Sequence, residues 1–343
     1  MNESTVGLLI LIAAGVMNAS FSVPMKFTRK WAWENTWFAW TIFALIILPP
    51  VIAFSTVPNV GGIYSEAGFG IVAVVATFGA GWGIAQVLFG LAIDAIGIAL
   101  SFSIVLGLSA ALGSLIPFIR LHADQLGTSA GFTILAGVVL VIVGVAICAV
   151  AGRKREAAQT ASTQASAGGN KPSFARGLTI AIISGIGASL MNLGIAFGGP
   201  IIDAAARAGA KPVWTINAIW LPLMLAGAIP NLFYCQYLMR KNNTGGRFSG
   251  PGTGGHWGLA AIMAAFWFGS TLLYGISTGK LGSLGAILGW PLFMSLIVIT
   301  ASVLGIVTGE WKSAGKTPLR IQILGVAILV LAVFVLAKAS RMV

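Results

Sequence analysis

Ten continuous apolar runs, most of them about 20 residues long, constrain this chain more than any other feature of its sequence. A run of that length, at 1.5 Å per residue, matches the ~30 Å hydrocarbon core of a bilayer. In lipid the backbone must satisfy its own hydrogen bonds, which leaves helices or closed barrels. Barrel strands alternate polar and apolar residues, and these runs do not. Composition supports lipid as the solvent: 57% of residues are hydrophobic and 8% are charged, against about 25% charged in a soluble domain. The 45 glycines suit close helix–helix approach. The fold class expected is therefore an all-α integral membrane protein with a lipid bilayer as its main partner.

The runs predict helices over residues 7–25, 36–57, 69–93, 96–119 and 129–151, then 176–198, 213–238, 257–278, 281–308 and 318–338. Between the two sets lies Arg153 to Arg176, the longest stretch without an apolar block. Its Ala, Ser, Thr, Gln and Gly are too weakly apolar to fold alone. The chain thus divides into a first membrane repeat (residues 1–152), a linker (153–175) and a second membrane repeat (176–343). The first run is followed, not preceded, by Lys26, Arg29 and Lys30, so it reads as a retained helix rather than a signal peptide. Six bases fall on the side of the N-terminus: Arg120, Arg207, Lys211, Lys280, Lys338 and Arg341. The other fourteen of the 20 fall on the opposite side, five of them in the linker. By the positive-inside rule the linker is cytoplasmic and both termini lie outside.

The two halves resemble each other. Gly7, Leu8, Ile10, Ile12 and Gly15 recur in register as Gly177, Leu178, Ile180, Ile182 and Gly185. Gly137, Val138, Val145 and Arg153 recur as Gly325, Val326, Val333 and Arg341. Five helices per half is an odd number, so the second copy enters the membrane from the opposite face. This predicts two inverted five-helix repeats, the architecture in which secondary transporters hold a substrate near the midplane between halves.

Several chemistries are excluded. The net charge of +12 sits mainly in loops and at helix ends, as membrane sorting requires, and does not point to nucleic acid. Cys148 and Cys235 lie inside apolar runs as packing residues, and no Cys/His spacing suits a metal. Gly315-Lys316-Thr317 fails as a phosphate loop because Glu310 stands where the motif needs glycine. No serine–histidine or zinc-protease pattern occurs, so an enzyme and a cofactor are not expected. None of the eight acids falls at the centre of a helix, where a carboxylate costs about 2.5–3.5 kcal/mol. Glu34 and Asp94, at helix ends on the linker side, are the candidates for carrying a proton.

Neutral polar and aromatic residues within the helices are the candidates for binding. Trp82, Gln86 and Phe89 are spaced to share one face of the third helix, and Trp267, Ser270, Thr271 and Tyr274 one face of the eighth. Asn18 with Ser22 and Asn217 with Trp220 form further pairs, and Asn192 and Trp290 add single positions. A sugar needs amides and hydroxyls for its hydroxyls and a flat ring for its C–H face. A drug or lipid needs mainly the rings. Each residue also has an ordinary role open to it: indoles against lipid, amides joining helices.

Three stretches carry a family resemblance: KFTRKWAWENTW from Lys26 to Trp37, GAGWGIAQVLFGL from Gly79 to Leu91, and GEWKSAGKTPLR from Gly309 to Arg320. They resemble the L-rhamnose–proton symporter family, within the drug/metabolite transporter superfamily. The resemblance implies ten helices in two inverted repeats and a proton-driven sugar carrier of the bacterial inner membrane. Its expected substrates are a monosaccharide, a deoxy sugar first, and protons. The ninth helix, LGSLGAILGWPLFMS, departs by keeping Trp290 and little other polarity, and Ser270 stands where a larger polar side chain is expected. Trp82, Gln86, Asn192, Trp267, Tyr274 and Trp290 are the foremost expected contacts, with Asn18 and Asn217 behind them. An importer of another monosaccharide and a drug or metabolite exporter are the alternatives within transport. A membrane-embedded transferase or a sensor would need an acid–base set or an output domain that the sequence does not supply.

Overall fold

The computed structural model describes residues 3–162, 174–309, 311–312 and 314–342. Those residues contain helices and no strands. Ten helical spans are long and apolar enough to cross a membrane: Glu3–Phe27, Trp33–Thr56, Phe69–Ile96, Leu100–Leu121, Ser129–Ala158, Phe174–Arg207, Asn217–Lys241, Gly254–Lys280, Gly285–Val307 and Lys316–Ala339. They are numbered here first to tenth in that order. Large apolar side chains point outward along them, among them Phe132, Val139 and Ile142 of the fifth span and Leu324, Leu331 and Phe334 of the tenth. An outer surface of this kind suits lipid and would be costly in water. The protein is a multi-pass membrane protein.

The chain's contacts gather into two compact units, each drawing helices from both sides of the polar linker. Unit 1 is Met1–Val87 with Leu190–Lys280. Within it the first span packs along the eighth, and the seventh packs on the second. Ser277 Oγ donates to the Gly7 carbonyl at 2.8 Å, tying the start of the first span to the end of the eighth. The third span approaches the seventh through glycine: a Cβ on Gly79 would lie 2.0 Å from the Leu223 carbonyl oxygen, and one on Gly83 2.3 Å from that of Gly227. Backbones this close exclude every side chain but hydrogen.

Unit 2 is Leu88–Ser189 with Leu281–Val343. Its most extensive pairing is between the fifth and tenth spans. There a Cβ on Gly325 would lie 2.9 Å from the Cys148 backbone nitrogen, and one on Gly144 2.7 Å from the Leu329 side chain. The small residues again set which faces meet.

Three local features differ from the sequence reading. The fifth helix runs on through the start of the linker to Ser162. Residues 153–162 were expected to lack structure, but Arg, Lys, Glu, Ala and Gln are strong helix formers that extend a helix already nucleated in the membrane. Linker residues 163–173 lie outside the described residues, and the next helix starts at Phe174. The sixth span breaks at Ser189 and continues past Gly198 as an amphipathic segment, Gly199–Arg207, where a loop was expected. The second span contains a π-helical stretch, Ile42–Ile47, immediately before Pro49 and Pro50. Two prolines in succession remove two N–H donors, and the widened turn accommodates the gap. Pro117, Pro222, Pro230 and Pro291, by contrast, lie inside continuous helices.

Candidate functional site

Seven of the eight expected contacts belong to unit 1, and several are brought together there. The indoles of Trp82 and Trp267 stack with centroids 5.6 Å apart and planes 25° from parallel. Such a pair contributes about 0.5–1.5 kcal/mol beyond its burial. Gln86 follows Trp82 by one turn and is half-buried. The Asn18 amide donates to Ser270 Oγ at 2.8 Å, joining the first span to the turn after Trp267. Ser270 in turn donates to the Trp267 carbonyl at 2.6 Å. Ser270 is thus a bridge as well as a small polar residue. Asn192 accepts a short hydrogen bond from the Tyr274 hydroxyl, and both side chains are fully buried. Asn217 is also buried, but its amide donates to Thr56 Oγ1 at 3.0 Å, at the far end of the second span.

Trp290 lies in unit 2. Its Nε1 donates to the Ser109 carbonyl at 2.9 Å. The ring occupies the space above Gly113, where a Cβ would lie 2.6 Å from the indole.

The second span supplies aromatic residues that the helix-face reading did not select. Trp33 stacks on Trp37, Trp37 lies 4.4 Å from Trp40, and Trp40 meets the edge of Trp267 at 5.2 Å and 81°. Five indoles therefore run in contact from Trp33, 40% exposed, to Trp82, 3% exposed. Trp37 Nε1 donates to Asn231 Oδ1, whose amide donates to the carbonyls of Gly83 and Gly227. The Trp40 Nε1 is buried without a partner. The signal was legible: Trp33, Trp37 and Trp40 are spaced i, i+4, i+7. Asn231 had none, because its partners are Trp37 of the second span and the carbonyls of Gly83 in the third and Gly227 in its own helix, which no spacing within one helix announces.

The two candidate acids have different surroundings. Glu34, 5% exposed, accepts from Thr244 Oγ1 at 2.7 Å and from the Asn242 amide at 3.0 Å. Nearby, Asn35 donates to the Thr244 carbonyl, Trp31 Nε1 to that of Arg247, and Lys30 to that of Pro251. The connection after the first span is thereby fastened to the connection between the seventh and eighth. Asp94 is exposed near the end of the third span. Outside the spans, burial pushes the Tyr64 phenol above its ordinary value, so it remains a donor to the Ala218 carbonyl. Among the described residues no group of His, Cys, Asp and Glu could hold a metal ion.

The stacked tryptophans, buried amides and ten spans stand in a chain that matches the family L-rhamnose-proton symport protein (RhaT) over residues 1–340. The chain belongs to that family. Curated relatives named L-rhamnose-proton symporter include one from Mannheimia succiniciproducens, 29% identical over 92% of each chain. Others from Escherichia coli and Shigella dysenteriae are 27% identical over 96% of each chain. Family and relatives are transporters, not enzymes. The stretches Lys26–Trp37, Gly79–Leu91 and Gly309–Arg320 all fall inside the matched region.

Proposed function

We propose that this protein is an L-rhamnose–proton symporter of the bacterial inner membrane. The match to the symporter family over residues 1–340 carries this reading. In it, Trp82 and Trp267 offer indole faces to the C–H side of the sugar, and Gln86, Asn192, Tyr274 and Asn18 meet its hydroxyls. Asn217 assists from the seventh span. A neutral sugar suits a set of rings and amides without buried charge. The proton is carried by a carboxyl, Glu34 first and Asp94 second. Glu34 is the buried one and couples the first connection to that between the seventh and eighth spans, so a change in its protonation alters that fastening.

The two sequence halves act as inverted five-helix repeats of the drug/metabolite transporter superfamily, with alternating access around the site. Both termini are periplasmic and the linker is cytoplasmic. In this assignment Lys280 and Glu3, and Arg207 and Glu66, which pair with each other, fall on one side. The test is uptake of labelled L-rhamnose into proteoliposomes under an imposed inward proton gradient. Accumulation that collapses with an uncoupler is expected. Folded protein that takes up no L-rhamnose would refute the reading.

A further inference from the structure

Within unit 1 the two ends of the spans carry charge differently. At the end where the first span begins lie three bases, Arg207, Lys211 and Lys280, and three acids, Glu3, Glu66 and Asp203. Two of these acids are taken in ion pairs, Glu66 with Arg207 and Glu3 with Lys280. At the opposite end lie six bases, Lys26, Arg29, Lys30, Arg240, Lys241 and Arg247, against a single acid, Glu34. Glu34 is buried, and its carboxylate accepts from the Thr244 hydroxyl and the Asn242 amide. Arg29, Lys30, Arg240, Lys241 and Arg247 are all exposed. Lys30 donates to the Pro251 carbonyl, a neutral acceptor that leaves its charge uncompensated. The connections that carry these bases are fastened to each other, so the charge is concentrated on one surface.

The seventh helix shows what this surface meets. Phe233, Tyr237 and Lys241 are spaced i, i+4, i+8 and form one stripe, with Arg240 beside its end. Phe233 is 68% and Tyr237 57% exposed, so the stripe faces outward. The Lys241 ammonium lies over the Tyr237 ring, 5.9 Å from its centroid, a contact that uses none of its N–H donors. From Phe233 to Lys241 is about 12 Å at 1.5 Å per residue. Over that distance the outward surface passes from an apolar ring through a phenol to two bases, the order of a lipid's chain, interface and phosphate. Val23 and Phe27 are exposed in the same way on the stretch that leads to Arg29 and Lys30. The helix dipole and the sorting of bases to one side account for cations at a helix C-terminus. Neither places them on the stripe that carries the exposed rings.

We propose that this surface binds an anionic phospholipid, with the headgroup phosphate on Arg240 and Lys241 and an acyl chain along Tyr237 and Phe233. The chemistry recognised is a phosphate diester with a net negative charge joined to a hydrocarbon chain, as in phosphatidylglycerol. A zwitterionic headgroup brings its own cation and forfeits the attraction. An acidic soluble protein would meet the bases and leave the rings uncovered. The site depends neither on the substrate carried nor on the compartment this end faces, since phosphates border both faces of a bilayer. Asn242 and Thr244 follow Lys241 closely and hold Glu34, so bound lipid steadies the connection fastened to that carboxylate.

The test is lipid retention by the purified full-length protein in a neutral detergent, read by native mass spectrometry during titration with phosphatidylglycerol or with phosphatidylcholine of the same chains. The wild type is expected to retain phosphatidylglycerol in preference. Arg240→Gln combined with Lys241→Gln should weaken phosphatidylglycerol binding about 25-fold, about fivefold for each charge, and leave phosphatidylcholine binding as it was. Lys241→Gln alone should show the single fivefold step. Lys211→Gln, which removes the same charge from an exposed position at the other end of unit 1, should show none. Equal retention of the two lipids by the wild type, retention of neither, or equal losses in Lys241→Gln and Lys211→Gln would overturn the site. Displacement of bound phosphatidylglycerol by millimolar inorganic phosphate would overturn its assignment to lipid.

Discussion

Replacing Gly79 by alanine should disrupt the seam that sets the position of Trp82. The added Cβ would lie 2.0 Å from the Leu223 carbonyl oxygen, about 1.4 Å short of ordinary van der Waals contact. The obstructing atom is backbone, so no rotamer change relieves it. The third and seventh spans must separate, and the next contact along the seam, Gly83 against Gly227, opens with them. The Trp82 ring packs over Gly227, where a Cβ would lie 2.9 Å from it, so the indole loses its support. Overpacking of this kind costs about 1–3 kcal/mol. A clash with backbone belongs at the upper end, near ~3 kcal/mol. The better helix propensity of alanine returns about 1 kcal/mol. A net loss of about 2 kcal/mol is expected, read by thermal unfolding in detergent, together with weaker L-rhamnose uptake at equal expression. Gly90→Ala is the control: the same helix continues there, and nothing lies within 4 Å of the added Cβ. It should be neutral or slightly stabilising. Gly79→Ala protein as stable and as active as Gly90→Ala would refute the close packing of these two spans.

Other substitutions probe the site residue by residue. Gln86→Ala should abolish saturable uptake with folding intact; normal transport would remove Gln86 from the substrate contacts. Tyr274→Phe takes away the hydroxyl that donates to Asn192 and should destabilise the protein by about 1–3 kcal/mol, the penalty for a lost buried partner, measured by the unfolding midpoint. Glu34→Gln should permit sugar exchange down a gradient while losing proton-driven accumulation; accumulation at wild-type levels would exclude Glu34 as the coupling group. Thr244→Val removes one donor to the Glu34 carboxylate and should lower stability by about 1.5–3 kcal/mol, the range for a hydrogen bond to a charged group. An unchanged midpoint would show that the fastening of the two connections does not depend on it.

The stretches that carried the family resemblance proved informative in different ways. Gly79–Leu91 was selected for Trp82 and Gln86, yet its glycines are what admit the seventh span. Lys26–Trp37 was selected as a motif, and the structure gives its residues work: Trp31, Glu34 and Asn35 all hold the connection between the seventh and eighth spans. Trp40 was passed over because it was read without the indoles that surround it. Trp290 was grouped with the other tryptophans because sequence gives a residue type and a depth but no neighbours. Its indole N–H proves to donate to Ser109, to the carbonyl at 2.9 Å and the hydroxyl at 3.3 Å, a partner in another helix that no spacing within the ninth span announces.

The sequence by itself determined the class of fold, the number of spans and the candidate polar positions within them. Hydrophobicity is a property of consecutive residues: about 20 apolar side chains suffice to commit a segment to lipid, whatever it packs against. Tertiary structure alone decided which spans share a unit, that each unit mixes helices from both sides of the linker, and which polar groups meet. In a lipid environment apolar attraction does not distinguish one helix from another. Partner choice falls to backbone-close glycines and to hydrogen bonds such as Asn18–Ser270 and Asn192–Tyr274, whose two members are far apart in the chain.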